Sequence, residues 1–400
     1  MPDDSYLLAT ERINAFAWDK KGYLWIGTQT AGTYVIDTEQ EQIIACYTSD
    51  NSAMPSNAVI SLTYDSKFDK MFIGTAAGMV SYNLQDEVSS GLKDQDDSDY
   101  EYRDGNMYQW RAHGAFTHVD HIEVLPDKVY GLSANSLFVI DKHTSQVTGY
   151  SQLDGLSSSG ICCMAYNRTL QNLLLAYENG HIDILDQDDN VRNIADLYLK
   201  MMTASKQVND ICIYDKKAYL AMSFGILVVN MQKAEIEDTY YIGHEGSEVD
   251  IRYICTVGQQ IYALSQDSLY TATIGDNLSD FANWHTQQLP AHKRVSGLRA
   301  YMGNLYVILD NLLHVYKRPN DEWNQLGTRT ISKLCATSNQ LYLIPYYNKG
   351  LGQVMNTARV NWILPDTKCY SVAKYGNYYW IGTEEDGIIQ HGENSGKSRP

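Results

Sequence analysis

Apolar residues come in short bursts along this chain. Residues 13–48 give INAFAWD, YLWIGT, GTYVID and QIIACYT, each rich in β-branched or aromatic types and bounded by Asp, Lys, Gly or Thr. The gaps between them leave no room for a helix. Such bursts predict strands joined by hairpins, so one frame is a four-stranded antiparallel meander. The frame recurs as AVISLTY to GMVSYN (58–83), HVDHIEV to QVTGYS (118–151), GICCMAY to VRNI (160–194) and VNDICIY to EIEDTYYI (208–242). It returns as DIRYICTV to FANWHTQ (250–287), VSGLRAY to EWNQL (295–326), ISKLCAT to ARVNWIL (331–364) and CYSVAKY to GIIQHG (369–392). Only 194–205, IADLYLKMMTAS, has room for a helical turn or two.

A period of about 35–45 residues with four short strands per repeat predicts an all-β fold, the β-propeller. One phrase stands out: YLWIGTQTAG (23–32), KMFIGTAAG (70–78) and YYWIGTEEDG (378–387). Its inner Gly suits close packing between blades, and Gly32, Gly78 and Gly387 suit the turn into the third strand. In a closed ring the last unit meets the first, which would make units nine, one and two neighbours.

Composition narrows the function. The 400 residues are 44% hydrophobic and 20% charged, an ordinary globular balance, with 31 Tyr against seven Phe. The formal net charge of −17 argues against nucleic acid and against a basic membrane-docking patch. No apolar run approaches the roughly 20 residues of a membrane helix. The start, MPDDSYLLAT, lacks signal-peptide regions, so the chain reads as cytoplasmic or as a fragment. The seven cysteines lack CxxC or Cys/His spacing and read as buried thiols without a metal.

INAFAWDKKGYLWIGTQTAGTYVID resembles the two-component-regulator propeller repeat, which builds periplasmic sensor regions of hybrid regulators in Bacteroidetes. Residues 106–390 resemble PorZ-like propellers of the type IX secretion system. That resemblance rests on KVYGLSANSLFVIDKHT, LLLAYENGHIDILD, SFGILVVN with EIEDTYYIG, and LSDFANW. It implies a seven-bladed core over 106–400, with 106–112 strapping the last blade, 84–105 as an acidic linker and 1–83 as two further repeat units. That family places a second propeller and a C-terminal sandwich after this domain, so the order of parts here implies a permuted, rearranged or composite chain. The alternative is one ring of eight or nine blades over 1–400, closed by SYLLATE (5–11). The resemblance further implies the periplasm or cell surface of a Gram-negative bacterium.

Candidate chemistry is sparse. His118 and His121 sit three apart on an expected strand, which points the rings to opposite faces. Asp186, Asp188 and Asn190 alternate like the start of a calcium loop but lack its Gly and distant Glu, so a turn is expected. GLSSSG (155–160) is not a nucleophile elbow, and no phosphate loop or dinucleotide fingerprint occurs. We therefore expect no enzyme, no cofactor and no metal. Most second-to-third connections are short, but PYYNKGLG (345–352) is long, and TEEDG (383–387) lies one unit on. Aromatics with an amide suit sugar recognition by stacking and hydrogen bonding. The expected ligand site is thus Tyr346, Tyr347, Asn348 and Lys349, with Glu384 and Glu385 alongside. Expected partners are envelope proteins or a surface glycan. The alternative function is an oligosaccharide-sensing propeller of a hybrid regulator.

Overall fold

The computed structural model describes residues 8, 11–49, 51–84, 110–113, 116–289, 293–317, 322–337, 340–347, 349–392 and 398–399. Among them are seven four-stranded sheets and one of seven strands, the expected all-β architecture. The first sheet joins Ile13–Trp18, Tyr23–Thr28, Thr33–Asp37 and Gln42–Tyr47. The second joins Val59–Asp65, Lys70–Thr75, Gly78–Asn83 and Trp110–His113. The third joins His121–Val124, Lys128–Ser133, Ser136–Asp141 and Val147–Gly149. The fourth joins Ile161–Asn167, Asn172–Tyr177, Ile182–Leu185 and Val191–Ile194. The fifth joins Val208–Tyr214, Lys217–Met222, Gly225–Asn230 and Glu235–Tyr240. The sixth joins Tyr253–Val257, Gln260–Leu264, Ser268–Thr273 and His285–Gln288.

The seventh sheet runs through Val295–Tyr301, Asn304–Leu309, Leu312–Lys317, Glu322–Ala336, Leu341–Pro345, Leu351–Asn356 and Arg359–Ile363. Its long strand Glu322–Ala336 closes one meander and opens the next. The eighth sheet joins Ser371–Tyr375, Tyr378–Gly382, Ile388–Gly392 and Ser398–Arg399. Helix is confined to short pieces such as Asp196–Leu199, which falls where the sequence left room for it.

Two compact units result. One comprises 1–115, 134–137 and 148–160, and the other 116–133, 138–147 and 161–400. In the first unit Trp25, Val59, Met71, Ile73 and Val80 form the core, and Trp25, Tyr47 and Tyr82 gather with ring centroids 5.3–5.8 Å apart. In the second unit Asn172–Tyr177 is buried along its whole length. Second strands such as this are covered on both faces by neighbouring sheets, which explains their unbroken apolar runs.

Hairpin turns use the Asp and Asn residues that bound the bursts. Asp37, Asp65, Asp141 and Asn167 each accept two backbone N–H groups from residues two and three positions on. The side chain thereby caps the turn and ends the strand. Asp186 does the same for the N–H groups of Asp188 and Asn190, each at 2.9 Å, so that acidic alternation builds a turn.

Sheet joins to sheet by a repeated device. The first strand begins with a bulge between Ile13 and Ala15, Val59 and Ser61, Ile161 and Cys163, Val208 and Asp210, Val295 and Gly297, and Ile331 and Lys333. A bulge increases twist and turns a side chain out of the ladder. At that level Asn14 Nδ2 donates to Val59 O at 2.9 Å, and Asn209 Nδ2 to Ile251 O at 2.8 Å. Cys163 Sγ reaches Val208 O at 3.4 Å, and Ser371 Oγ donates to Val119 O at 2.8 Å. Each bond ties one sheet to the residue at or just before the next sheet's first strand.

Within the second unit these first strands touch in turn from His121–Val124 through Ile161–Asn167, Val208–Tyr214, Tyr253–Val257, Val295–Tyr301 and Glu322–Ala336 to Ser371–Tyr375. Ser371–Tyr375 then touches His121–Val124. The seam between the eighth and third sheets also carries Val119 N–H to Thr383 O at 3.0 Å and Gly387 N–H to Thr117 O at 2.9 Å. Gly32 N–H makes the matching bond to Asn57 O, at 3.0 Å, between the first and second sheets.

Two expectations need correction. The strap assigned to 106–112 does not close the last repeat, because Trp110–His113 pairs with Gly78–Asn83 and completes the second sheet. The last repeat takes its fourth strand from Ser398–Arg399, and residues 117–119 bond across to it at Thr383 and Gly387. In the seventh sheet Leu351–Asn356 is a strand that the sequence reading placed in a loop, and it pairs with Arg359–Ile363. Apart from Leu84, the linker 84–105 lies outside the described residues, as does SYLLATE apart from Leu8 and Glu11.

Candidate functional site

An antiparallel meander places the second-to-third connections and the sheet-to-sheet connections at the same end. Residues 346–350 leave Leu341–Pro345 at that end and return into Leu351–Asn356. Other such connections take two to four residues, two at 134–135, 223–224 and 310–311 and four at 29–32 and 178–181. Residues 383–387 span as much as 346–350, so the length that singled out the first loop belongs to two.

Tyr346 and Tyr347 are 51% and 81% exposed. Their rings meet edge to face, with centroids 4.6 Å apart. Backbone bonds anchor the loop at both ends: Tyr346 N–H donates to Thr330 O at 3.0 Å and Gly350 N–H to Thr367 O at 2.8 Å. Gly350 holds φ at +108°, a conformation that residues with a Cβ rarely adopt. Lys349 is exposed, and Asn348 lies outside the described residues. Beside this loop the Arg329 guanidinium stacks 4.2 Å from the Trp362 ring centroid.

Glu384 and Glu385 are exposed in the neighbouring loop. Lys368 Nζ donates to Glu384 Oε2 at 2.6 Å and lies 5.3 Å over the Tyr370 ring. The edge of Tyr370 meets His118, centroid to centroid at 4.5 Å. The Lys368 bond, helped by Tyr370, holds the Glu384 carboxyl below its ordinary value, and the same carboxylate raises Lys368. That favourable pairing is present at neutral pH and is lost as pH falls through the lowered carboxyl value. No hydrogen bond among the described residues joins the tyrosine pair to the glutamates. Their sheets share one core, in which Tyr342, Ile344 and Leu351 pack on Cys369, Val372, Tyr379 and Ile381.

Sequence reasoning missed Lys368 and Tyr370 and weighed His118 only as part of a metal fragment. All three lie just ahead of first strands, Tyr370 and His118 at the starts of bursts, CYSVAKY and HVDHIEV, that were expected to be strand throughout. His118 and His121 do not face a common ligand: His118 Nε2 bonds Asp120 at 2.9 Å, and His121 approaches Glu123 at 3.8 Å.

A second polar feature lies among the first strands of the second unit. Arg299 Nη1 and Nη2 donate to Asp210 Oδ2 and Oδ1 at 2.7 and 3.0 Å, a bidentate pair. Asp210 Oδ2 also accepts Ile254 N–H at 3.1 Å. Asp210 belongs to the fifth sheet, Ile254 to the sixth and Arg299 to the seventh, so the pair spans three sheets. Burial pushes the Cys212 thiol up to about 11 and holds Cys255 well above its ordinary value. Such thiols stay protonated and make poor nucleophiles.

The comparisons with known proteins agree with this architecture. No curated protein sequence matches the chain. Among solved structures, PorZ of the type IX secretion system of Porphyromonas gingivalis superposes with a TM-score of 0.62 at 22% identity, covering 71% of this chain. The extracellular domain of BT4673 from B. thetaiotaomicron, described as a one-component system, superposes with a TM-score of 0.55 at 14% identity, covering 97% of this chain. Streptogramin B lyase gives a TM-score of 0.52 at 13% identity, covering 68% of this chain and 92% of its own. The chain spans 38% of the PorZ chain and 53% of the BT4673 chain. At these identities the likeness shows the fold. The sequence itself is more specific: residues 7–30 match the two-component regulator propeller family, and residues 129–285 match the PorZ N-terminal β-propeller domain family of type IX secretion.

Proposed function

We propose that this chain is a non-enzymatic recognition or scaffold propeller of the bacterial cell envelope, similar in role to PorZ. It holds a partner protein or a surface glycan on its loop face. The observation that carries this reading is the family match over 129–285, most of which lies in the second unit. The exposed Tyr346 and Tyr347 offer aromatic faces of the kind that sugars and peptides stack on. Glu384 and Glu385 supply acceptors one sheet away. The periplasm or cell surface is the corresponding location.

A glycan array and an envelope pull-down with the Tyr346→Ala/Tyr347→Ala double variant test this. Both side chains are exposed, so the melting temperature should stay within about 2 °C of the parent while binding falls about tenfold or more. Unchanged binding with a lowered melting temperature would make the tyrosines packing residues and misplace the site.

We further propose that residues 116–400 form a seven-bladed ring. The cyclic contact of its first strands supports that reading. A chain starting at residue 116 should fold cooperatively and keep a single unfolding transition. Failure to fold would return the single ring over 1–400.

A second reading is a ligand-sensing propeller of a hybrid regulator. It draws on the match at 7–30 and on the superposition of BT4673 over 97% of this chain. A kinase downstream in the full gene would favour it.

A further inference from the structure

We propose that a cleft at the opposite end of the fifth and sixth sheets receives the cationic side chain, arginine or lysine, of a partner polypeptide. The cleft encloses about 390 Å³, enough for such a side chain with part of its backbone. Its lining comes from the turn 214–217, the outer strand at 237–240 and the connection 274–279. First-to-second turns and third-to-fourth connections lie at the end away from Tyr346 and Glu384, so this site is separate from the proposed loop-face site.

The lining is one-sided in charge. It presents the carboxylates of Asp215, Glu237, Asp238 and Asp276 against the single cation Lys217. Lys217 is already engaged, with Nζ 2.5 Å from Glu237 Oε1. Asp238 accepts from Ser279 Oγ at 2.6 Å and from Thr239 N–H at 2.7 Å, which fixes its carboxylate in place. Asp215 and Asp276 are exposed at the rim.

The second observation is independent of the acids. Tyr219 and Tyr240 line the cleft at 2% and 7% exposure, and neither hydroxyl has a hydrogen-bond partner among the described residues. Neither is among the described hydroxyls sealed from water, so both are open to the cleft, where water or an arriving N–H can pair them. Burial first raises both phenols, helped by Cys212 and Glu237 at Tyr219 and by Tyr219, Asp238 and Glu237 at Tyr240, and so keeps them protonated. Each oxygen can then accept an N–H while its own proton turns toward a carboxylate. The tyrosine rings add faces over which a guanidinium or ammonium is attracted. A metal ion fits less well, because no group of three His, Cys, Asp or Glu among the described residues has the geometry to hold one. An anion is repelled, and a neutral sugar would leave the excess charge unanswered.

The test uses the full chain and a fluorescein-labelled hexapeptide that alternates arginine with glycine. A peptide with glutamine at the arginine positions and a neutral oligosaccharide serve as comparators. The arginine peptide should bind at least about tenfold more tightly than the glutamine peptide and weaken as salt rises from 50 to 300 mM, by roughly severalfold. Tyr240→Phe and Asp238→Asn should each weaken it about fivefold or more, with the melting temperature unchanged. If either lowers the melting temperature, the exposed rim changes Asp215→Asn and Asp276→Asn replace them. The Tyr346→Ala/Tyr347→Ala variant should bind the peptide as the parent does, so failure at one site is distinguishable from failure at the other. Equal binding of the glutamine peptide, insensitivity to all four cleft variants, or oligosaccharide binding that Tyr240→Phe abolishes would overturn the proposal.

Discussion

Replacing Asp210 with alanine should lower the unfolding free energy by about 3–5 kcal/mol, measured by urea unfolding followed by circular dichroism. The cause is the partner left behind rather than the bond removed. Arg299 carries a side chain only 28% exposed, and Asp210 accepts both of its Nη donors. Burial disfavours the charged guanidinium and Asp210 more than offsets it. With the carboxylate gone the guanidinium still keeps its charge, because arginine does not deprotonate in proteins. The Ile254 N–H also loses its acceptor. Asp210→Ala with Arg299→Met should recover most of the loss, because two apolar groups leave no orphaned charge. A single variant that unfolds like the parent would show that Arg299 finds water or another acceptor. A double variant no better than the single would show that packing at Asp210, and not charge, sets the cost.

That ion pair illustrates what a linear reading of this chain misses. The bursts INAFAWD, YLWIGT and GILVVN could be assigned to strands because alternation and β-branching are local, and their turns could be placed because Asp37 and Asp141 bond N–H groups two and three residues on. Nothing local tells Asp210 that Arg299 will lie opposite, 89 residues later. Outer strands were hard to place for a related reason. Trp110–His113 pairs with Gly78–Asn83 across a long intervening segment, and Ser398–Arg399 is too short for a periodic pattern. An outermost strand has one neighbour and an exposed side, so its residues need not alternate. Of the candidate site, the tyrosine pair was legible from loop length and residue type. Lys368 and Tyr370 were not, since nothing local pairs Lys368 with Glu384, 16 residues later.

Gly382→Ala should be among the costliest single-methyl additions in the chain, roughly 1–3 kcal/mol, with Gly382→Val costing more. Gly382 is the glycine of the phrase in the eighth sheet, and a Cβ there would collide with the Val119 carbonyl oxygen and Ser371 Oγ. The carbonyl is backbone and already accepts the Ser371 hydroxyl, so it cannot step aside without opening the seam between the eighth and third sheets. Val119 N–H to Thr383 O would be lost with it. The same phrase in the first sheet provides a graded comparison. A Cβ on Gly27 meets Val59 Cγ1, which a rotamer change can move, and Val59 Cβ, which it cannot, but no backbone carbonyl, so Gly27→Ala should be costly yet cost less than Gly382→Ala. Gly275→Ala, where a Cβ meets nothing within 4 Å, should be nearly neutral. Ranking the three by urea midpoint at constant slope separates steric cost from any change in the unfolded chain, because all three remove a glycine. Equal losses at 382 and 275 would mean that the recurring glycine reflects backbone freedom alone. The predicted order would make Gly382 a point where one sheet's second strand admits the start of the next sheet.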